Sequence, residues 1–231
     1  MTVGPSDRRT VGLMLAVAAL LRSVSPTVRQ SVDPGPLLDR ASAVFDSVHT
    51  LAAAFVQVVT NPLVGEPDTT RGKLFQRRPS YFEMRFTAPK GDRIVADGHH
   101  LWLYTPSTTP GQVIRTAIPT AGTTGPNLIG QFVDHARERY QTRYVKADTV
   151  LADGVADVAD VIALVPKQGD MPYQSAVIWV TRGDGLVRRL EIAESSGQRR
   201  IVVLRDLVVN GAVPEGEFRF SVPRGVRVVD Q

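Results

Sequence analysis

The chain of 231 residues contains no cysteine. A domain built from it therefore has no disulfide bonds, and it carries no thioether-linked lipid on an N-terminal cysteine. The sequence also lacks an apolar run of membrane-spanning length, since a spanning helix needs about 20 apolar residues and the run from Val11 to Leu21 is shorter. Because it has no cysteine to carry the lipid, we predict that the protein is not itself a lipoprotein.

Residues typical of catalytic or metal sites are scarce. The adjacent His99 and His100 face opposite sides of a predicted strand, so they are not expected to share a metal ion. Asp153, Asp157 and Asp160 lack the spacing of a known calcium loop and are typical of a solvated turn. No G-x-S-x-G nucleophile elbow occurs anywhere in the chain. We predict no enzyme activity, no catalytic residue, no metal site and no cofactor.

The formal net charge of +4 arises from basic residues that are scattered along the chain. No basic stripe and no recognised nucleic-acid-binding motif accompanies them, and dispersed charge is typical of a solvated surface. The sequence therefore predicts no nucleic-acid partner.

The N-terminus has the pattern of an export signal. Arg8-Arg9 precedes the uncharged run from Val11 to Leu21, which matches the apolar region of a secretory signal. The following segment, Arg22 to Pro26, offers no clean cleavage site, so the cut lies anywhere from about Ser23 to Ser31, and an uncleaved anchor is the alternative. We predict a signal peptide and N-terminal extension over residues 1–30.

Two segments have helical periodicity. The first follows Asp33, a predicted N-cap, and Pro34, a predicted first helical residue. Its apolar stripe consists of Leu38, Ala41, Phe45, Val48 and Ala52. The second runs from Thr123 to Tyr140, where Leu128, Ile129, Phe132, Val133 and Ala136 share one face. Such helices either pack permanently on a sheet or act as a movable cover, and the sequence leaves both interpretations open.

Most of the remaining chain alternates between apolar and polar residues as strands do. In one predicted strand Phe82, Met84 and Phe86 point to an apolar face, while Tyr81, Glu83 and Arg85 point to a solvated face. The predicted strands are Ala53 to Thr60, Thr70 to Arg77, Tyr81 to Ala88, Arg93 to Asp97, His100 to Thr105, Gln112 to Ala117, Tyr144 to Leu151, Val158 to Pro166, Ser175 to Thr181, Val187 to Ala193, Gln198 to Val209 and Glu217 to Val222.

We therefore predict a mainly β (α+β) fold with one antiparallel sheet of about eleven strands. A sheet of this width must curl or close, and its concave face is then either a solid core or a ligand cavity. Composition alone does not decide between these two.

Several motifs, in order and spacing, resemble the LolA family of periplasmic outer-membrane lipoprotein carriers from about Leu37 to Asp230. They are Phe55-Val56-Gln57, Gly72-Lys73-Leu74, Arg77-Arg78-Pro79, Phe82 to Phe86, Ala88-Pro89, Ile94 to Gly98, Leu101 to Pro106, Phe218 to Pro223 and Gly225-Val226. The resemblance implies an unclosed, strongly curved antiparallel β-barrel whose hydrophobic concave face is covered by helices. It also implies that residues 31–231 form a single carrier domain.

The resemblance further implies a function and partners. A monomeric periplasmic chaperone of a Gram-negative-type envelope would shield the acyl chains of triacylated lipoproteins. It would take them from an inner-membrane ABC-type extraction complex to an outer-membrane receptor or acceptor. The alternatives are a periplasmic lipoprotein or lipid sensor that uses the same half-barrel, and a general lipid-binding protein.

The resemblance also assigns roles to residues. The family's lid-closing arginine falls on Arg78, which would bond to the lid and hold the closed form. An exposed turn position like that of Arg77 is the alternative. The expected acyl-chain and cavity residues are Phe45, Val48, Phe82, Met84, Phe86, Leu101 and Leu103. For these residues, ordinary core packing is the alternative.

Overall fold

The computed structural model describes residues 1, 32–118, 127–169 and 171–231. From Val32 onwards the chain forms one compact unit by its internal contacts. The predicted signal segment lies outside the described residues, so the division at residue 31 stays a prediction. None of the helices in the described part is both long and apolar enough to cross a bilayer.

The described residues form one twelve-stranded sheet. Its strands are β1 Thr50–Thr60, β2 Pro67–Arg77, β3 Tyr81–Ala88, β4 Lys90–Asp97, β5 His100–Tyr104, β6 Gln112–Ala117, β7 Tyr140–Ala152, β8 Val155–Pro166, β9 Tyr173–Thr181, β10 Val187–Glu194, β11 Arg199–Val209 and β12 Arg227–Asp230.

The spatial order of the strands is β12-β6-β5-β4-β3-β2-β1-β11-β10-β9-β8-β7. Neighbours pair antiparallel except β12 and β6, which pair parallel. The order begins at β12 and ends at β7, and the described residues of these two edges do not pair with each other, so the sheet is unclosed. The predicted fold class is confirmed.

The predicted strand Glu217 to Val222 is wrong. Its first residues belong to a 3-10 helix, Glu215–Phe218, and the chain pairs with the sheet later, as β12. The alternating aromatic residues of this segment pack on the sheet instead of forming a strand. Phe220 contacts Trp102 on the convex side, with ring centroids 5.4 Å apart. The C-terminal segment thus covers this side.

The first helix, α1, spans Gly35–Asp46 and is shorter than the predicted stripe. The N-cap is Pro34 rather than Asp33, whose carboxylate accepts a hydrogen bond from the backbone amide of Gly35 at 2.9 Å. Val48 lies in the turn after α1, and Ala52 belongs to β1. The helical spacing continues by coincidence into a strand, because β1 places its own apolar residues at every second position.

The second predicted helix is two short ones, α2 Gly130–Val133 and α3 Ala136–Arg139. The break occurs at His135, whose φ of 51° lies in the left-handed region. Residues 123–126 of the predicted helix lie outside the described residues. The two short helices still share one apolar face, because Phe132, Val133 and Ala136 all join the main core.

The main core lies on the concave side of the sheet, under these helices. Two smaller clusters lie on the convex side, one around Trp102 and one around Trp179. The helices thus cover part of the concave side, and the C-terminal segment covers part of the convex side.

The prediction that Glu83 faces solvent is wrong. Its side chain is fully buried on the convex side and pairs with Arg93 at 2.6 Å and with Arg85 at 3.1 Å. Glu217 of the C-terminal 3-10 helix also pairs with Arg85. Burial raises the pKa of the Glu83 carboxyl, while the hydrogen bond and charge of Arg93 oppose that rise. The polar residues Glu83 and Arg85 of β3 therefore belong to an ion-pair network that the C-terminal segment covers.

Candidate functional site

The concave face presents a largely apolar wall with a few polar side chains in it. The register pairs Phe82 of β3 with Gln76 of β2 and Met84 with Leu74, so these side chains point to the same side. Leu51 and Phe55 of β1 continue the wall on the next strand. The strand period of two residues produces this arrangement, because every second residue of a strand faces the same side.

Helix α1 fills one part of the concavity. Its Leu38, Ala41 and Phe45 are buried in the main core. Between α1, β1 and β10 a gap of only about 10 Å³ is left, bordered by Phe45 and Leu51. A gap of this size holds at most about one water molecule. Side chains of α1 therefore occupy the space that a ligand would need here.

The concavity is open beyond α2. A cavity of about 480 Å³ lies between the sheet and the segment that carries α2. Its apolar lining comes from both sides and includes Phe82, Met84, Ile94, Leu128, Phe132 and Ile192, while polar residues such as Gln57 and Arg200 complete it. Pockets that take small molecules measure about 300–1,000 Å³ and are mainly apolar, so this cavity has the size and character of a ligand site.

Arg78 connects the sheet to the end of α1. Its Nη1 donates a hydrogen bond to the carbonyl oxygen of Phe45 at 3.1 Å, and it lies 3.5 Å from Oδ1 of Asp46. The guanidinium carbon is 5.1 Å from the centroid of the Phe45 ring, a cation–π distance. The last carbonyls of a helix carry partial negative charge and have no partner within the helix. A cation at this point therefore stabilises the C-terminal end of α1.

Arg78 also reaches the second helical segment. Its Nη2 lies 3.9 Å from Oδ2 of Asp134, the residue that follows α2. Burial raises the pKa of the Asp134 carboxyl, and the charge of Arg78 opposes that rise. One arginine in the turn between β2 and β3 thus contacts both helical segments that cover the concave face, α1 and the segment of α2 and α3.

Further polar contacts hold the cover in place. Gln76, which is buried on β2, donates from Nε2 to Oδ1 of Asn127 at 3.2 Å, and the same oxygen accepts from the amide of Gly130 at 2.8 Å. At the other end, Nη2 of Arg40 donates to the carbonyl of Arg182 at 2.8 Å. These polar contacts are few and partly exposed.

The turn between α1 and β1 is held by Asn210. Its Nδ2 donates to the carbonyl of Ser47 at 2.9 Å, and its Oδ1 accepts from the amide of His49 at 2.7 Å. Asn210 has a left-handed φ of 56°, which asparagine tolerates better than most residues. The turn that follows α1 is therefore fixed next to the end of β11, and α1 itself lies on the concave face of the sheet.

The residues predicted from the sequence fall into three groups. Phe82 and Met84 line the open cavity, and Phe45 lies on α1 at the filled part. Val48 and Phe86 are buried in the main core, where Phe86 packs on Phe55 with ring centroids 5.2 Å apart. Two residues of β5 lie at the margin: Leu101 packs against the core, and Leu103 is half-buried on the same side of the strand.

Sequence reasoning missed the polar residues of the site: Gln57, Gln76, Asn127, Asp134, Arg200 and Asn210. A signal for some of them was present. Gln76 is two residues from Leu74, and Arg200 is two residues from Val202, so the strand period places both on the apolar face. A polar residue at a strand position that points to the concave face is therefore a signal in the sequence for these two site residues.

The acidic and histidine residues considered above are dispersed. In the described part of the chain, no three of the residue types that ligate metals come together. Asp153 pairs with Arg188 at 3.2 Å, and Asp160 pairs with Arg182 at 2.6 Å. These carboxylates serve separate ion pairs.

Comparison with known proteins gives a family. Residues 46–221 match the model of the family described as "Outer membrane lipoprotein carrier protein LolA". The outer-membrane lipoprotein carrier protein of Albidiferax ferrireducens is 33% identical over 193 residues, which cover 80% of this chain and 86% of that protein. The carrier protein of Pectobacterium atrosepticum is 28% identical and covers 94% of this chain and 97% of its own.

A solved structure shares the fold. The crystal structure of an uncharacterized conserved protein from Thermus thermophilus superposes with a TM-score of 0.52. It covers 85% of this chain and 98% of its own, at 12% sequence identity. Because the identity is so low, this likeness concerns the fold alone.

Proposed function

The chain belongs to the LolA family of outer-membrane lipoprotein carrier proteins, and from that membership we propose that it carries lipoproteins across the periplasm by shielding their acyl chains in the concave face. The observation that carries this proposal is that the family match over residues 46–221 includes the sheet residues of the 480 Å³ cavity, among them Phe82 and Met84. Export to the periplasm forms part of the proposal.

The energetics of acyl chains favour such a carrier. Each methylene group exposed to water costs about 0.8 kcal/mol, so a lipid-anchored protein leaves a membrane only when a comparable apolar surface receives its chains. Phe82, Met84 and Phe132 offer part of such a surface in the cavity. The cavity in this closed form is of small-molecule size, so we propose that a cargo with several chains also displaces α1.

Arg78 supplies the closing contact in this proposal. When α1 is seated, Phe45 fills one part of the concavity and its carbonyl oxygen accepts a hydrogen bond from Arg78. When a cargo displaces α1, the guanidinium loses this partner. The contacts of Arg78 therefore favour return of the cover and release of the cargo, since a half-buried arginine without partners is costly.

The proposal includes two partners that the family implies: an inner-membrane ABC-type complex that extracts the lipoprotein, and an outer-membrane receptor or acceptor. Incubation of inner-membrane vesicles that carry a labelled lipoprotein with the purified protein, the extraction complex and ATP tests it. We expect the labelled lipoprotein in the supernatant as a complex with this protein. Label that stays entirely with the vesicles would contradict the proposal.

A further inference from the structure

The open cavity has one pair of charged residues among its lining residues, Arg200 and Glu194. Arg200 of β11 lies on the concave side, where it pairs in register with Ile192 of β10. Its Nε donates to Oε1 of Glu194 at 2.9 Å, and its Nη2 lies 2.8 Å from the same oxygen. Among the described lining residues, these two are the charged ones.

A buried amide orients this pair. Nη1 of Arg200 donates to Oε1 of Gln57 at 3.1 Å. Nε2 of Gln57 donates in turn to Oγ1 of Thr70 at 3.3 Å, and both Gln57 and Thr70 are buried. The side chain of Arg200 keeps about a third of its surface exposed, at 33%. Gln57 therefore fixes the orientation of the Arg200 side chain, and the exposed part of that side chain is accessible from the cavity.

The guanidinium carries more N–H donors than these bonds use. Because Glu194 already neutralises the charge of Arg200, the pair offers hydrogen-bond donors without net positive charge. Such a group suits an uncharged acceptor, for example the carbonyl oxygen of an ester or amide. It favours an anion less, since a carboxylate or phosphate would have to compete with Glu194.

We propose that Arg200, oriented by Gln57 and Glu194, binds the ester or amide carbonyls where the acyl chains of the cargo join its polar part. The chains then lie along Phe82 and Met84. This inference rests on the proposed function and names the part of the lipoprotein that the cavity recognises. Acyl chains on an ester or amide are thereby preferred over free fatty acids of the same length.

The experiment measures displacement of the uncharged apolar dye N-phenyl-1-naphthylamine from the full-length protein. The two competitors are a synthetic triacylated cysteinyl peptide and palmitate. The variants are Arg200→Met and Glu194→Gln. The matched control is Arg199→Met, because Arg199 is adjacent on the same strand, its side chain is 68% exposed, and it pairs with Glu191 at 3.4 Å.

The dye affinity of each variant is measured directly first, so that the competition reports the affinity for the peptide. We expect Arg200→Met to lose roughly ten-fold in affinity for the triacylated peptide relative to Arg199→Met, the size of effect of one hydrogen bond to a charged group. Glu194→Gln leaves an uncompensated positive charge, so its affinity for palmitate rises. Equal affinity of Arg200→Met and Arg199→Met for the peptide would overturn the inference and leave the proposed function standing. A wild-type protein that binds the dye but no triacylated peptide would overturn both.

Discussion

Arg78 donates a hydrogen bond across the sheet–helix boundary to the carbonyl oxygen of Phe45, 3.1 Å away, and its guanidinium lies over the ring of the same residue. This pair joins the turn between β2 and β3 to the residue of α1 that fills one part of the concavity. In our account the closed cover depends on it, and the cavity beyond α2 is the part of the concave face that a ligand reaches first.

Replacing Arg78 with leucine tests the closing role. We expect the fold and the loading of lipoprotein to persist, while transfer to the acceptor membrane slows, because α1 loses a charged hydrogen bond of about 1.5–3 kcal/mol. The measurement is the rate at which labelled lipoprotein leaves the purified complex. Amide hydrogen exchange in α1 should accelerate in the same variant.

The matched control for this variant is Arg77→Leu, since Arg77 is adjacent in sequence and its guanidinium lies 4.3 Å from the centroid of the Tyr81 ring, away from the cover. Transfer by Arg78→Leu at the rate of the Arg77 control would show that Arg78 has no part in closing.

Replacing Phe82 or Met84 with glutamate tests the acyl-binding wall. A carboxylate at either position would have to lose its water when a chain binds, which is costly for an unpaired charge. We expect folded variants that no longer take up a fluorescent acyl probe. Thr87→Glu on the same strand is the control, because Thr87 is exposed. Normal probe uptake by the Phe82 and Met84 variants would place the acyl chains elsewhere.

Replacing Gly72 with alanine tests the packing of the strands within that wall. An added Cβ would collide with the carbonyl oxygen of Arg85 on β3 and would approach the Phe55 ring to 2.8 Å. We expect a loss of about 1–3 kcal/mol in the free energy of unfolding, measured with denaturant. The same change at Gly216, where nothing lies within 4 Å, should have little effect. Equal stability of the two variants would contradict the close packing.

Replacing Asp148 with asparagine tests the ion and hydrogen-bond pairs of the edge strand. The indole of Trp179 donates to Asp148 at 3.0 Å, and with Lys146 it lowers the pKa of this carboxyl from 3.8 to about 2. Because the folded-state pKa is lowered, the stabilisation is present above pH 3.8 and is lost as the pH falls through about 2.

The variant should therefore melt below the wild type at neutral pH, and the two melting temperatures should converge toward pH 2. Asp68→Asn at an exposed position of β2 is the control. A difference between Asp148→Asn and the wild type that stays constant across this pH range would contradict the lowered pKa.

The sequence predicted the sheet because strand alternation is a local property. Tyr81–Ala88 and Gln112–Ala117 have the predicted bounds. It failed where distant segments meet. Glu83 has the pattern of a solvated residue, but the C-terminal segment, far along the chain, covers it. Local periodicity carries no information on such long-range cover, and the same limit explains the missed β12.

The sequence predicted the apolar residues of the site but not its polar contacts. Phe82 and Met84 follow from alternation together with the family resemblance. The polar contacts did not follow, because they depend on which loop of the cover faces which strand. Asn127 contacts Gln76 across 51 positions of the chain, and Arg200 contacts Gln57 across 143. A single sequence does not pair residues at such separations.

The proposed function requires that the wall around Phe82 receive acyl chains, and photo-cross-linking from that position tests this requirement. Phe82 is replaced with p-benzoylphenylalanine, the protein is loaded with a triacylated peptide labelled in its acyl chains, and the complex is irradiated. We predict covalent label at position 82 and little label when the photo-reactive residue replaces the exposed Thr87. A stable complex that cross-links equally from both positions, or from Thr87 alone, would contradict the account.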